Sequence, residues 1–218
     1  MKKIILLSTL IVSALTASAQ LYGVRLNGYS AYVFDNSFDT YYSSNEYLEG
    51  KIKGGFQWGA GLEFLLNENY GLELVYYRQD TKAPIKYEYG FGVNNREVDL
   101  GINYIMAGGV RYMQTSNEKV QPYGGLLLGA AIFSNKAPEG DEKDSYTKFA
   151  WGARIGVNIW ASEKVAVKLQ AQILSAVQGF GGGLYLGTGG AGAGVSTYST
   201  LLQFGLGGGL SFKMGQSE

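Results

Sequence analysis

The sequence predicts an all-β chain that closes as an eight-stranded antiparallel up-and-down transmembrane β-barrel. Three observations predict it. Long stretches alternate apolar and polar residues with a period of two. The connections between them are long and short by turns, and aromatic residues gather near both ends of the alternating stretches. A period of two gives a strand two unlike faces. A water-soluble sheet turns its apolar face to a core, whereas a transmembrane barrel turns it to lipid and its polar face to the lumen.

Residues 55–79 show the pattern most clearly and read as a hairpin. Phe56, Trp58, Ala60, Leu62, Phe64 and Leu66 alternate with Gly55, Gln57, Gly59, Gly61 and Glu63. After the polar turn Asn67-Glu68-Asn69, one face carries Tyr70, Leu72, Leu74 and Tyr76. The other carries Gly71, Glu73, Val75 and Tyr77. The first strand, 21–33, sets Tyr22, Val24 and Leu26 against Gly23, Arg25 and Asn27, and leaves the facing of 29–32 open. A polar loop, 34–53, separates it from the hairpin. Segment 80–96 is a second long connection that can extend its flanking strands as a ribbon.

The fourth strand sets Val98, Leu100, Ile102, Tyr104, Met106, Val110 and Tyr112, read as facing lipid, against Asp99, Gly101, Asn103, Gly109 and Arg111. It exceeds the ~9–11 residues that cross a bilayer at a tilt. The fifth strand, 121–133, has two apolar or small faces and does not reveal which is outside. The sixth sets Phe149, Trp151, Ala153, Ile155, Val157 and Ile159 against Lys148, Gly152, Arg154, Gly156 and Asn158. In the seventh, Val165, Val167, Leu169, Ala171 and Ile173 oppose Lys168, Gln170 and Gln172. A Gly-rich connection, 175–197, leads to the last strand, where Leu202, Phe204, Leu206, Leu210 and Phe212 alternate with Gln203, Gly205, Gly207, Gly209 and Ser211.

Two aromatic girdles follow from this layout, of the kind that marks the two membrane boundaries. Tyr22, Tyr70, Tyr112, Tyr123, Trp160 and Phe212 lie at the short-turn end, and Trp58, Tyr76, Phe133, Trp151 and Tyr198 at the other.

The N-terminus adds an address. Lys2 and Lys3 precede an apolar run, 4–15, and then Ala17-Ser18-Ala19, which reads as a signal peptide cleaved after Ala19. Residues 1–19 are then a leader and 20–218 the barrel domain, beginning at Gln20. The run is too short to span a bilayer, for which ~20 apolar residues are needed. Both Lys2 and Lys3 leave with the leader, so 16 basic residues face 18 acidic ones, a formal charge of −2. Such a balance gives no reason to expect a nucleic-acid partner. The chain has no Cys, which excludes disulfides, thiol chemistry, Cys-ligated metals and a lipidated Cys. Gly (33) and Tyr (17) are abundant and Pro (3) is scarce, which favours a barrel over a sandwich.

With these residues in place, the chain after Ala19 resembles the eight-stranded outer-membrane β-barrels of Gram-negative bacteria, the OmpA/OmpX-type and "porin family" barrels. The Ala17-Ser18-Ala19-Gln20 region resembles export signals common in the Bacteroidota. Gly207, Leu210 and Phe212 resemble the family's C-terminal assembly signal, although Lys213 and the residues after it follow where that signal ends on an aromatic. The resemblance implies an outer-membrane location, long outer loops, short periplasmic turns, and membrane lipids and the barrel assembly machinery as partners.

The expected lumen carries Arg25, Arg111, Arg154 and Lys168 with Glu63, Glu73 and Asp99, among the amides of Gln57, Asn103, Asn158, Gln170, Gln172 and Gln203. Eight strands leave an interior just wide enough for side chains to fill. Interleaved charges there either close the lumen or line a narrow polar pore. Glu63 and Glu73 fall nearly opposite each other, and like charges so placed repel. That predicts an Arg or Lys between them. As a carboxylate pair for catalysis they have no accompanying nucleophile, base or cleft.

The stretch from Gly187 to Gly192 fits G-x-G-x-x-G, but no strand–helix context for dinucleotide binding surrounds it. No cofactor or metal is expected. Tyr41-Tyr42 and Tyr87 with Tyr89 are candidates for a surface binding patch. Several of the enzymes that the resemblance supplies on small outer-membrane barrels resemble Ser-His or Asp-His systems, and those mechanisms are excluded because this chain has no His. The expectation is therefore a monomeric, non-enzymatic barrel with an envelope or surface-interaction role and a largely plugged lumen. One alternative is a narrow channel for small solutes or hydrophobic compounds, like OmpW-type barrels. Another is an adhesin that engages an unidentified surface ligand through 34–53, 80–96 and 175–197.

Overall fold

A computed structural model describes residues 22–43, 46–89, 92–135, 145–177, 181–187, 190–196 and 201–214. The leader and its cleavage point, Tyr198, and the side chains of Tyr41, Tyr42, Tyr87 and Tyr89 lie outside what is described. Among the described residues there are twelve strands: β1 (Gly23–Val33), β2 (Asn36–Ser43), β3 (Glu46–Ile52), β4 (Gly55–Leu65), β5 (Tyr70–Tyr89), β6 (Gly92–Tyr112), β7 (Val120–Asn135), β8 (Ser145–Trp160), β9 (Val165–Val177), β10 (Gly181–Gly187), β11 (Gly190–Ser196) and β12 (Leu201–Met214).

Eight of them form the wall. Antiparallel pairing runs β1–β4–β5–β6–β7–β8–β9–β12, and β12 returns to β1, so this wall is closed, while β3 pairs with the extension of β5 and leaves β2 at an edge. Three short turns, 66–69, 113–119 and 161–164, sit at one end. Side chains shape them. Asn67 Oδ1 accepts hydrogen bonds from the backbone N–H groups of Asn69 and Tyr70 at 2.9 Å, an Asx turn. Ser162 Oγ does the same for Val165 at 3.1 Å.

The opposite end is longer. Segment 80–96 continues the β5–β6 ladder from Asp80↔Gly101 out to Tyr89↔Gly92, as the ribbon reading expects. The stretches read as a loop and a Gly-rich connection hold hairpins of their own, β2–β3 and β10–β11.

The faces of β1, β4, β5, β8, β9 and β12 follow the sequence pattern. Leu72, Leu74, Ile155, Leu169, Leu206 and Leu210 are exposed on the outer surface, and Arg25, Glu63, Glu73, Arg154, Lys168 and Gln203 are buried inside. So broad a belt of exposed large apolar residues needs lipid against it. On β1, Tyr29 points in and Tyr32 out.

β6 is inverted relative to expectation. Ile102, Tyr104, Met106, Val110 and Tyr112 are buried in the lumen, while Asp99 and Arg111 are exposed outside. The cause is register. Residues paired across an antiparallel ladder share a face. Glu73 pairs with Gly108, Val75 with Met106, and Tyr77 with Tyr104, so the inward set of β5 fixes the even residues of β6 inward. β7 follows: Tyr123, Leu127 and Ala131 point in, Leu126 and Leu128 out.

Candidate functional site

The lumen holds three layers. Beside the short turns lies a small apolar cluster of Leu65, Val110, Tyr112 and Tyr123. Toward the long end lies a larger one, including Val75, Tyr77, Ile102, Tyr104, Met106, Leu127 and Leu174. Between them the wall presents charges and amides.

Glu63 and Glu73 stand directly opposite each other on β4 and β5. Each has room because its diagonal neighbour is glycine. A Cβ on Gly61 would lie 2.1 Å from Glu73 Oε1, and one on Gly71 would lie 2.4 Å from Glu63 Oε1. Their repulsion is offset by donors from other strands. Asn27 Nδ2 donates to Glu73 Oε1 at 2.8 Å and to Glu63 Oε2 at 3.1 Å. Tyr29 OH donates to Glu73 at 2.6 Å, and Tyr112 OH to Glu63 at 2.6 Å. Arg154, from the far wall, closes an ion pair with Glu73 and donates to Tyr29 OH at 3.0 Å. Lys168 Nζ donates to Asn27 Oδ1 at 3.4 Å and lies 4.7 Å from the Tyr123 ring centroid. The basic partner expected for this carboxylate pair is thus Arg154, but the group lying between the two acids is the amide of Asn27.

A run of amides continues the network. Tyr123 OH donates to Gln170, Gln170 to Gln172, and Gln172 to Gln57, at 2.6–2.9 Å. Nearer the long end, Tyr104 OH donates to Gln203 and Gln203 to Gln79. Tyr77, Tyr104, Lys168, Ile102, Met106, Leu127 and Leu174 are all less than 2 % exposed. Among the described residues no group of three or more His, Cys, Asp or Glu is placed to hold a metal.

Of the seven predicted lumen charges, Arg25, Glu63, Glu73, Arg154 and Lys168 are inside. Asp99 and Arg111 are corrected to the exterior by the β6 register. Asp99 sits across from Lys82 on the outer surface, and the Arg111 guanidinium lies 5.7 Å from the Tyr70 ring centroid. A cation at that depth rests its stem on apolar surface and its head at the boundary.

The girdles divide in the same way. Tyr22, Tyr70, Phe212, Trp58 and Trp151 are exposed and Tyr76 is half-buried. Trp58 and Tyr76 meet edge to face at 5.8 Å, on the outer surface. Tyr112 and Tyr123 are buried lumen residues, because hydroxyls directed inward find Glu63 and Gln170. Trp160 has the inward parity of Arg154 and Asn158 and carries Arg25 5.0 Å from its ring centroid. Phe133 packs against the inner apolar cluster. The sequence reading missed Asn27, Tyr29, Tyr77 and Tyr104 as site residues. Asn27 and Tyr29 share the parity of Arg25, and Tyr77 that of Glu73, which was the available signal.

No protein-family model and no curated protein matches the chain. Solved structures do. The surface protein A of Neisseria (NspA) is similar over 88 % of this chain and 97 % of its own, with 15 % identity and a TM-score of 0.56. The outer membrane protein OprG from Pseudomonas aeruginosa is similar over 89 % of this chain and 97 % of its own, with 14 % identity and a TM-score of 0.56. At such identities the likeness is one of fold. The closed eight-strand wall, its lipid-facing exterior and these neighbours agree: the chain has the fold of the small outer-membrane β-barrels.

Proposed function

We propose that this chain is a non-enzymatic outer-membrane barrel whose lumen is closed by its own side chains and whose outer hairpins supply a surface for contact. The observation that supports the reading is side-chain burial inside the barrel, where Tyr77, Tyr104, Met106 and Leu127 are no more than 1 % exposed and Arg154 pairs with Glu73. Side chains so buried, with carboxylates engaged by tyrosines and an amide, support a structural plug better than an ion path. The channel alternative is tested directly. The purified barrel in a planar bilayer at neutral pH should show no stable conductance steps, and sustained openings would sink the plug reading.

The surface role draws on length. β5 and β6 have 20 and 21 residues, against the ~9–11 needed to cross the bilayer. At ~3.3 Å per residue the excess carries the ribbon about 30 Å along its own direction past the crossing segment. With β2–β3 and β10–β11 at the same end, paired backbone rather than open loop would meet a partner. Export by a leader cleaved after Ala19 belongs to this reading. Intact mass of the protein extracted from membranes should correspond to a chain beginning at Gln20, and a retained leader would refute it.

A further inference from the structure

Five charged side chains are buried among the described residues, the cations Arg25, Arg154 and Lys168 and the anions Glu63 and Glu73. One positive charge is therefore in surplus. Arg154 is paired with Glu73, and Lys168 shares Asn27 with both glutamates. Arg25 is the one left over. It is only 4 % exposed, its Nε and Nη1 have no hydrogen-bond partner, and it forms no ion pair among the described residues. Glu63, directly opposite it in the β1–β4 register, is hydrogen-bonded by Tyr112 and Asn27 and forms no ion pair with it.

On its other side Arg25 is directly opposite Lys213 of β12. Two like charges face each other there, which is unfavourable; the Glu163 carboxylate acts on Lys213, but among the described residues neither cation is closed into an ion pair. Both rest on one indole: Arg25 Cζ lies 5.0 Å and Lys213 Nζ 4.3 Å from the Trp160 ring centroid. A cavity of about 210 Å³ opens beside them at the short-turn end, lined by Arg25, Lys213, Gln114, Gln121, Tyr22 and Glu68. Glu68 lines the same cavity and accepts from Tyr22 OH at 3.1 Å and from Gln114 Nε2 at 3.4 Å, but among the described residues it forms no ion pair with Arg25 or Lys213. The Tyr22 hydrogen bond and the nearby carboxylate charge raise that phenol above its ordinary value.

We propose that this periplasmic mouth is a binding site for an oxyanion, a phosphate or carboxylate group held between Arg25 and Lys213. A planar guanidinium presents paired donors that match such oxygens, an ammonium adds a second charge, and Gln121 supplies an amide at the rim. The cavity volume suits a single group of this size. The anion would complete the charge balance of the barrel's interior.

The test uses Trp160 as reporter, since both cations sit on its ring. With Trp58→Phe and Trp151→Phe, it is the only tryptophan left. The mature barrel folded in maltoside micelles is titrated with inorganic phosphate, and with chloride at matched ionic strength. A saturable fluorescence change with phosphate and none with chloride is expected, weakened at least tenfold by Arg25→Gln and by Lys213→Gln. Lys213 lies half-exposed at a strand end, so its variant keeps the test decisive even where Arg25→Gln does not fold. A shift in phosphatidylglycerol vesicles that phosphate no longer adds to would identify a lipid headgroup as the source. A response only to free phosphate would identify a soluble anion. Equal responses to phosphate and chloride, or a response unaltered in Lys213→Gln, would overturn the proposal.

Discussion

Replacing Arg154 by Met should lower the unfolding free energy of the barrel by about 3–5 kcal/mol, the range found when one member of a buried ion pair is removed. Glu73 would keep its bonds to Tyr29 and Asn27 but lose its ion-pair partner in a buried interior. Tyr29 would lose a donor at the same time. The double replacement Arg154→Met with Glu73→Met should recover most of the loss, because a buried pair exchanged for apolar side chains of similar volume is often neutral. Urea unfolding in lipid vesicles, arranged as a double-mutant cycle, gives the coupling. A single Arg154→Met variant as stable as the parent would show that the pair contributes nothing.

Gly61→Val should cost about 3 kcal/mol, at the upper end of ordinary overpacking. The added Cβ would fall 2.1 Å from Glu73 Oε1 and 2.9 Å from its Cδ. That carboxylate cannot swing aside, since Asn27 and Tyr29 of β1 and Arg154 of β8 hold it from two strands. Gly28→Val supplies the control. A Cβ at Gly28 meets nothing within 4 Å, and its position faces outward between Asn27 and Tyr29. There the greater strand preference of Val should leave stability unchanged or raise it. The same vesicle unfolding measurement decides, and equal effects at the two positions would refute the packing explanation.

The wall was largely legible in the sequence, and the inner residues of β4, β5, β8, β9 and β12 were legible with it, whereas the facing of β1 was left open. Gly, Gln, Glu, Arg and Lys alternate there with Leu, Phe and Trp, so polarity alone sorts the faces. β6 defeats that test. Its inward set is Ile102, Tyr104, Met106, Val110 and Tyr112, more apolar than its lipid-facing set of Asn103, Ile105, Ala107, Gly109 and Arg111. A narrow lumen is itself a core, and it accepts Met and Ile as readily as lipid does. What decides the matter is the pairing with β5, where Glu73 stands opposite Gly108 and Tyr77 opposite Tyr104. Register is a relation between two strands, and a strand read by itself does not contain it. The tyrosines misled for a related reason: near a strand end, a ring that marks the membrane boundary looks the same as one whose hydroxyl turns inward to Glu63.

Asn27 donates to both glutamates and accepts from Lys168, and it is followed by Gly28. In a loose chain an Asn–Gly pair slowly cyclises, because glycine lets the next backbone nitrogen reach the side-chain carbonyl and expel ammonia, and water opens the resulting cyclic imide to an aspartate or isoaspartate. Within the wall that attack is blocked, since the extended backbone of β1 is fixed by β4 on one side and β12 on the other. The hazard therefore belongs to the time before insertion. A chain delayed in transit would reach the membrane with a third acid where two already face each other, and isoaspartate at position 27 in unfolded protein, absent from the folded barrel, would be its chemical trace. Prompt folding keeps the keystone of this lumen an amide.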